Sequence, residues 1–179
     1  DTILTKNLSI NGSTCFEVAS DGITIDCAGY SITGNGTTGT FGVDFNDHNQ
    51  VIVNNCSIYN FNAGISVSGE NNSITNNILS SNAIAGVVVF CSYNLSIYNN
   101  HFLHNNLYGL GLTTVNASNL INNTLTNNTL YGILLQTNYL GENTISGNNI
   151  TDTFYGLFIQ HNLTTLYNNY VIDNTVGIN

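Results

Sequence analysis

Residues 130–138 are LYGILLQTN, and similar phrases occur twenty-three residues earlier as LYGLGLTTV and twenty-four residues later as FYGLFIQHN. In each copy a glycine follows a tyrosine and precedes a run of mainly apolar residues. Glycines that open such phrases recur at intervals of 21 to 24 residues throughout the chain: Gly42, Gly64, Gly86, Gly109, Gly132, Gly156 and Gly177. Seven matches at one period indicate a repeat architecture.

A second phrase lies between the glycines, as in SITNNIL (73–79), SIYNNHF (96–102) and NLINNTL (119–125). Short alternating segments separated by turn residues are typical of β-strands, and no segment has helical spacing. Strands at a period of about 22 residues predict a solenoid whose coils stack about 4.8 Å apart. We therefore predict an all-β, single-stranded parallel β-helix of seven to eight coils. It forms one domain over 1–179, with an irregular first coil at 1–21 and repeats at 22–179.

The alternation assigns each side chain to the inside or the outside of its coil. The first and third residues after each repeat glycine, such as Leu110 and Leu112, are predicted to point inward, as is Ile97 in the second phrase. Asparagine also recurs at two fixed phases: Asn77, Asn100, Asn123, Asn148 and Asn169, and Asn82, Asn105, Asn128 and Asn174. Asparagine tolerates left-handed backbone, and its amide can bond the asparagine of the next coil. We interpret these rows as structural ladders.

The charge composition excludes some classes of partner. The chain has no Arg, one Lys (Lys6) and ten acidic residues, which gives a net charge of −9. Such a surface repels nucleic acid and anionic membranes. No run of 18 apolar residues exists, so we predict no membrane insertion. A start at Asp1 without a signal-peptide pattern is expected of a mature exported chain or of an excised fragment.

The repeat, together with GITIDCAGYSITGNG (22–36), resembles the right-handed parallel β-helix repeat proteins. These include secreted pectate-lyase-like proteins, periplasmic copper-processing-like proteins, and archaeal and bacterial surface proteins, some of which form sheaths. The resemblance covers residues 15–179 and implies a right-handed helix. It also implies that polysaccharide lyase or hydrolase activity must be considered, with a catalytic Arg and acidic ligands for calcium.

The residues that such chemistry needs are largely missing. No Arg is present, and Lys6 precedes the repeats. We therefore predict no catalytic residue. Asp44 and Asp47 are close in sequence, and with Asp26 they are the candidates for a calcium site. His101 and His104 would face opposite sides of a strand, so no copper or zinc site is predicted.

Four cysteines are compatible with an oxidising compartment and are disulfide candidates: Cys15, Cys27, Cys56 and Cys91. Similar N-terminal coils of the family often carry a pair like Cys15 and Cys27. Cys27 and Cys56 instead occupy related phases after an inward strand, and this second pairing stays open. Cys91 has a different phase, which fits a buried thiol or a bond to a neighbouring molecule.

Asn-x-Ser/Thr sequons number eleven, so N-glycans are a further expectation for a secreted chain. Three of them precede the second strand of successive coils: Asn71, Asn94 and Asn116. The other glycosylation candidates are Asn35, Asn122, Asn149 and Asn162.

The outward positions predict a surface for self-association. Val88, Leu134 and Phe158 would form an apolar stripe, and Val176 and Ile178 lie in a strand at an open edge. We predict a non-enzymatic extracellular structural protein of the cell surface that needs no cofactor and assembles with itself into a sheath, layer or filament. The alternatives are a carbohydrate-active or carbohydrate-binding protein that contacts surface polysaccharide, and an adhesin fragment with a binding ridge of Tyr108, Tyr131 and Tyr155.

Overall fold

The computed structural model describes residues 1–136, 141–160 and 163–179. In these residues three parallel sheets of eight strands each lie side by side, and each coil contributes one strand to every sheet in turn. Equivalent residues of successive coils, such as Ile74 and Ile97, are direct partners. The predicted all-β parallel β-helix is confirmed. The described residues include no helix with the length and hydrophobicity of a membrane span.

The strands are numbered in chain order and grouped by sheet. Sheet A contains β1 (Thr2–Ile3), β4 (Thr24–Asp26), β7 (Ile52–Asn54), β10 (Ser73–Thr75), β13 (Ser96–Tyr98), β16 (Asn119–Ile121), β19 (Asn143–Ser146) and β22 (Thr164–Tyr167). Sheet B contains β2 (Leu8–Ser9), β5 (Ser31–Thr33), β8 (Ser57–Tyr59), β11 (Ile78–Ser80), β14 (His101–Leu103), β17 (Thr124–Thr126), β20 (Asn149–Thr151) and β23 (Tyr170–Ile172). Sheet C contains β3 (Phe16–Glu17), β6 (Phe41–Asp44), β9 (Ala63–Glu70), β12 (Ala85–Tyr93), β15 (Tyr108–Asn116), β18 (Tyr131–Gln136), β21 (Tyr155–Gln160) and β24 (Val176–Ile178).

The core consists of inward rows that run along the solenoid axis, one at the centre of each short strand of sheets A and B and two in sheet C. Ile97 of sheet A, Phe102 of sheet B, and Leu110 and Leu112 of sheet C are 0% exposed. The first coil joins the same rows through two-residue strands in all three sheets. Each row places an apolar side chain against the one above it, so every coil buries the next.

The two asparagines of each pair have different structural roles at the corner between sheets A and B. The first of each pair adopts the left-handed conformation, as at Asn76 (φ 57°), Asn99 (φ 55°) and Asn122 (φ 55°). This conformation turns the chain sharply and suits asparagine better than most residues. The second asparagine, such as Asn100 or Asn123, points into the coil and is 0% exposed.

The buried asparagines form a continuous ladder in which every amide group is satisfied. The Asn123 Oδ1 accepts hydrogen bonds from the backbone N–H and the side-chain amide of Asn100, at 2.9 and 3.1 Å. Its Nδ2 donates to the Ile97 carbonyl and to the Asn148 Oδ1, both at 3.0 Å. Two donors and two lone pairs are thus all used. The predicted ladders are confirmed here and at the corner between sheets B and C, where Asn105 bonds Asn128 in the same way.

A disulfide lies at the start of the asparagine ladder between sheets A and B. Cys27 and Cys56 are joined, with Cα atoms 4.7 Å apart on adjacent coils. The Cys56 backbone N–H donates to the Asn77 Oδ1 at 2.9 Å, as an asparagine at that position would. The sequence left two partners open for Cys27. The structure forms the bond with Cys56, which occupies a related phase of the repeat, and Cys15 is not bonded to Cys27.

The repeat glycines are required because neighbouring coils approach closely at the corner before sheet C. A Cβ on Gly109 would lie 2.7 Å from the Gly132 carbonyl oxygen and 2.8 Å from the Leu125 Cδ2. Gly64, Gly86, Gly132 and Gly156 meet the carbonyl oxygen of the next glycine at similar distances. At these five positions no other residue fits without moving the backbone.

We expect Gly109→Ala to lower the free energy of unfolding by about 1–3 kcal/mol, because the added methyl group overpacks the corner. Gly177→Ala is the matched control: it lies in the same column, but nothing lies within 4 Å of its Cβ position. The control should change stability by less than about 0.5 kcal/mol. Urea unfolding of both variants measures the difference, and equal stabilities would contradict the close approach.

We expect Asn123→Ala to cost about 3 kcal/mol or more, because it leaves several buried groups of the ladder without partners. Asn119→Ala serves as control, since Asn119 lies in the preceding strand β16 and outside the ladder; its effect should stay under about 1 kcal/mol. Thermal and urea unfolding report both values. A loss at Asn123 no larger than at Asn119 would show that the ladder does not stabilise the fold.

Candidate functional site

A groove of about 300 Å³ opens on the outer face of sheet C. We call it the outer groove. It crosses several coils and is lined by Phe41, Asn62, Ile84, Val88, Phe90, Tyr108, Gly111, Thr113, Leu134 and Gln136. This volume is at the lower end of the range for small-molecule sites.

The groove exists because a glycine interrupts an outward column of larger side chains. Gly111 lies between Val88 and Leu134 in this column and lines the groove. The absent side chain leaves a depression between aromatic and aliphatic walls. In the neighbouring column Ala63 and Ala85 separate Phe41 from Tyr108, and both alanines are buried.

The walls combine exposed aromatic carbon with uncharged hydrogen-bonding groups. Phe90 is 54% exposed and presents its ring to solvent. Asn62, Thr113 and Gln136 add amide and hydroxyl groups to the rim. The described lining contains no Asp, Glu, His, Lys or Arg, and Tyr108 is its one titratable side chain.

Stacked tyrosines continue the groove along the axis and form the aromatic ridge. The ring centroids of Tyr108 and Tyr131 are 5.7 Å apart, and those of Tyr131 and Tyr155 are 5.1 Å apart. The Phe158 ring meets Tyr131 and Tyr155 edge-on, at 5.4 and 5.6 Å. Both arrangements are favourable for aromatic pairs. The predicted ridge is formed, and Tyr108 belongs to both the ridge and the groove.

The predicted apolar stripe is not one flat exposed surface. Leu134 is only 9% exposed, and together with Val88 it lines the outer groove. Phe158 is half-buried against the tyrosines. In the last strand Val176 is half-buried, whereas Ile178 is 59% exposed. The stripe is therefore divided between the outer groove, which Val88 and Leu134 line, and the aromatic ridge, which Phe158 contacts.

The calcium candidates are not brought together. Asp26 lies in sheet A, where its Oδ1 accepts the Ala28 N–H at 2.8 Å and the Asn55 side-chain amide at 3.2 Å. Asp44 lies in sheet C and caps its own turn at Asn46. Asp47 occupies that turn with φ 61°. Within the described ranges no group of three or more His, Cys, Asp or Glu side chains could hold a metal ion, so the predicted site is not formed.

An ion pair links the first two coils away from the groove. The His48 Nδ1 lies 3.0 Å from the Asp21 Oδ1, which also accepts the Asn49 backbone N–H at 2.9 Å. The Asn49 N–H first, and then His48, hold the pKa of the Asp21 carboxyl below its usual range. Because Asp21 is largely exposed, this contact orders a turn and does not form a site.

Two cysteines keep free thiols in the structure. Cys15 is half-buried, and burial raises the pKa of its thiol, which lowers its reactivity. Cys91 is exposed, with φ 51°, beside a register shift in β12. The predicted bond of Cys91 to a neighbouring molecule stays a prediction.

The glycosylation candidates differ in access. Asn71 and Asn94 are exposed on adjacent coils, and the Asn94 amide donates to the Asn71 Oδ1 at 2.8 Å. Asn116 is instead the last residue of β15, and its side chain packs where a Cβ of Gly141 would lie. Asn35, Asn122 and Asn149 are exposed. Asn162 lies outside the described residues. Glycosylation itself stays a prediction.

Sequence reasoning missed most of the groove. Asn62, Ile84 and Thr113 lie outside the repeat phases that it used, and Phe90 follows an apolar run without standing out. The available signal was Gly111 at a position where the adjacent coils carry the larger side chains of Val88 and Leu134.

Residues 3–179 match the sequence profile of the family described as periplasmic copper-binding protein (NosD). The chain belongs to the NosD family. The suspected relationship to periplasmic β-helix proteins is therefore confirmed. A comparison with curated proteins finds no significant match.

The residues of this NosD-family chain do not fit a copper centre. Copper in proteins is held by thiolate, thioether and imidazole ligands. The sequence has no Met, and Cys27 and Cys56 are consumed by the disulfide. Cys15 and Cys91 belong to no metal-ligand group in the described part of the chain. We assign no chemistry to a bound metal here.

The structure is similar to the crystal structure of a mutant of the periplasmic alginate epimerase AlgG, with a TM-score of 0.59 and 15% sequence identity. The alignment covers 94% of this chain and 46% of the epimerase chain, so this chain spans less than half of that enzyme's length. At this identity the likeness shows the fold alone.

Proposed function

We propose that this NosD-family chain is an exported, non-catalytic module that binds a glycan in the outer groove. One observation carries the proposal: an exposed aromatic depression with an amide and hydroxyl rim lies on a rigid sheet. The C–H faces of a pyranose ring are apolar and pack on aromatic rings, while its hydroxyls need hydrogen-bonding partners. Phe90 and Tyr108 offer the first kind of contact, and Asn62, Thr113 and Gln136 offer the second.

The absence of charged groups from the lining supports binding without turnover. Lyases and epimerases must remove a proton, and hydrolases need a pair of carboxyl groups. The ten lining residues supply neither an acidic pair nor a basic group. Tyr108 is the only titratable member, and it is stacked on Tyr131.

Two observations support export. The family description places its members in the periplasm. A disulfide between Cys27 and Cys56 is typical of an oxidising compartment. Both observations support a location outside the cytoplasm, and the cell surface or the extracellular space is the finer location that we propose.

The test is binding of soluble polysaccharides by affinity electrophoresis and calorimetry. Phe90→Ala and Tyr108→Ala should each weaken binding at least about tenfold, which corresponds to about 1.4 kcal/mol. Tyr170→Ala is the matched control, because Tyr170 is 60% exposed but lies on sheet B. No retarded polysaccharide, or an equal loss with the control variant, would refute the binding site. Release of reducing ends or unsaturated products would refute the non-catalytic part.

Self-association into a sheath, layer or filament is the second candidate. It is supported by apolar side chains that remain exposed, among them Phe90 (54%), Phe154 (43%) and Ile178 (59%). The adhesin alternative, with a protein partner on the aromatic ridge, stays a prediction.

Sedimentation over a hundredfold range of protein concentration tests self-association. We expect species larger than the monomer to grow with concentration and to decrease in Phe154→Ser, because a hydroxyl replaces an exposed ring. Thr113→Ser is the control at an exposed position of a sheet C strand. A monomer at all concentrations would rule this candidate out.

A further inference from the structure

We infer that the outer groove selects a neutral glycan and rejects polyuronates. The inference rests on the proposed function and specifies its ligand class. Three features of the charge distribution carry it: no cation lines the groove, an acidic pair lies on the same face, and the rim groups suit hydroxyls better than carboxylates.

Among the described residues, no basic group lines the groove to neutralise a sugar carboxylate. Its lining contains no Lys, Arg or His. Lys6, the sole Lys of the sequence, lies between β1 and β2, at the corner of sheets A and B in the first coil. A carboxylate that enters an apolar groove loses hydration, and this cost is large unless a cation or several donors replace the water.

Acidic side chains continue the outward column toward the N-terminal coils. Glu17 pairs with Asp44, and Asp44 pairs with Ser66, which precedes Val88 in the same column. Partner residues of adjacent parallel strands are about 4.8 Å apart, so two carboxylates follow each other along this face. A polyuronate that ran along the solenoid axis beyond the groove would meet them. The net charge of −9 adds a long-range repulsion.

The rim is suited to uncharged hydroxyl groups. Amide side chains such as Asn62 and Gln136 both donate and accept, and so does the Thr113 hydroxyl. A sugar hydroxyl also donates and accepts, and it therefore matches either orientation of these groups. A carboxylate only accepts, and it would face the acceptor oxygens of the rim as well as the donors.

The experiment compares one glycan before and after conversion of its C6 hydroxyls to carboxylates. A panel of neutral hexose oligosaccharides first identifies a ligand, and oxidation of that ligand at C6 gives the matched uronate of equal length and linkage. We expect at least a tenfold weaker affinity for the oxidised form at low ionic strength. The difference should shrink at high salt, because screening weakens the repulsion.

Two variants test which charges cause the difference in affinity between the neutral and the oxidised glycan. Thr113→Lys should restore binding of the oxidised glycan at least threefold, because it supplies a cation at the rim. Glu17→Gln combined with Asp44→Asn should reduce the difference in affinity between the neutral and the oxidised form of oligosaccharides longer than the groove. The affinity for the neutral form should stay unchanged. If these variants fold less well, the salt dependence of the native protein still tests the repulsion.

The outcomes separate the two proposals. Equal or tighter binding of the oxidised glycan would overturn the selectivity, while glycan binding itself would stand. No binding of any panel member, neutral or acidic, would overturn both. Phe90-dependent dimers without glycan binding would identify the groove as an interface between copies and would also overturn both.

Discussion

The buried asparagine ladders at two corners of the coil are the constraint on which the rest of the structure depends. Three sheets can close around an apolar axis only if the chain turns sharply without leaving buried polar groups unpaired. One asparagine makes the turn in left-handed conformation, and the next one, such as Asn100, uses all four hydrogen-bonding sites of its amide inside the coil. Aspartate could not donate, and an apolar residue could neither donate nor accept. The high asparagine content of the chain is therefore structural.

Much of the fold followed from periodicity alone. The repeat glycines, the inward rows and the ladders each depend on one residue type at one phase, so a single sequence carries the signal several times. Cysteine pairing did not follow, because the family resemblance implied Cys15 as the partner of Cys27, whereas phase indicated Cys56. The structure shows that Cys56 takes a ladder position, and this is why it, and not Cys15, is within reach.

The site was harder to predict because it depends on differences between coils and not on their likeness. The outer groove forms where Gly111 departs from the larger side chains of neighbouring coils. The calcium hypothesis failed because only two of its three residues are close in sequence. Asp44 and Asp47 lie at one end of a sheet C strand, whereas Asp26 lies in sheet A, and the chain passes through sheet B between them. The inference from charge composition was more reliable than the inference from aspartate spacing, because the lack of Arg holds for any arrangement of the chain.

The outer columns of this solenoid can change without disturbing the inner ones. A side chain that faces solvent contacts mainly its neighbours in the same column, whereas folding is secured by the axis and the corners. The groove results from a missing side chain on the face of the sheet and not from an inserted loop. Substitution of a few surface residues could therefore move the binding site to a neighbouring coil in either direction along the axis. A molecule built in this way can acquire new specificities while its scaffold stays constant.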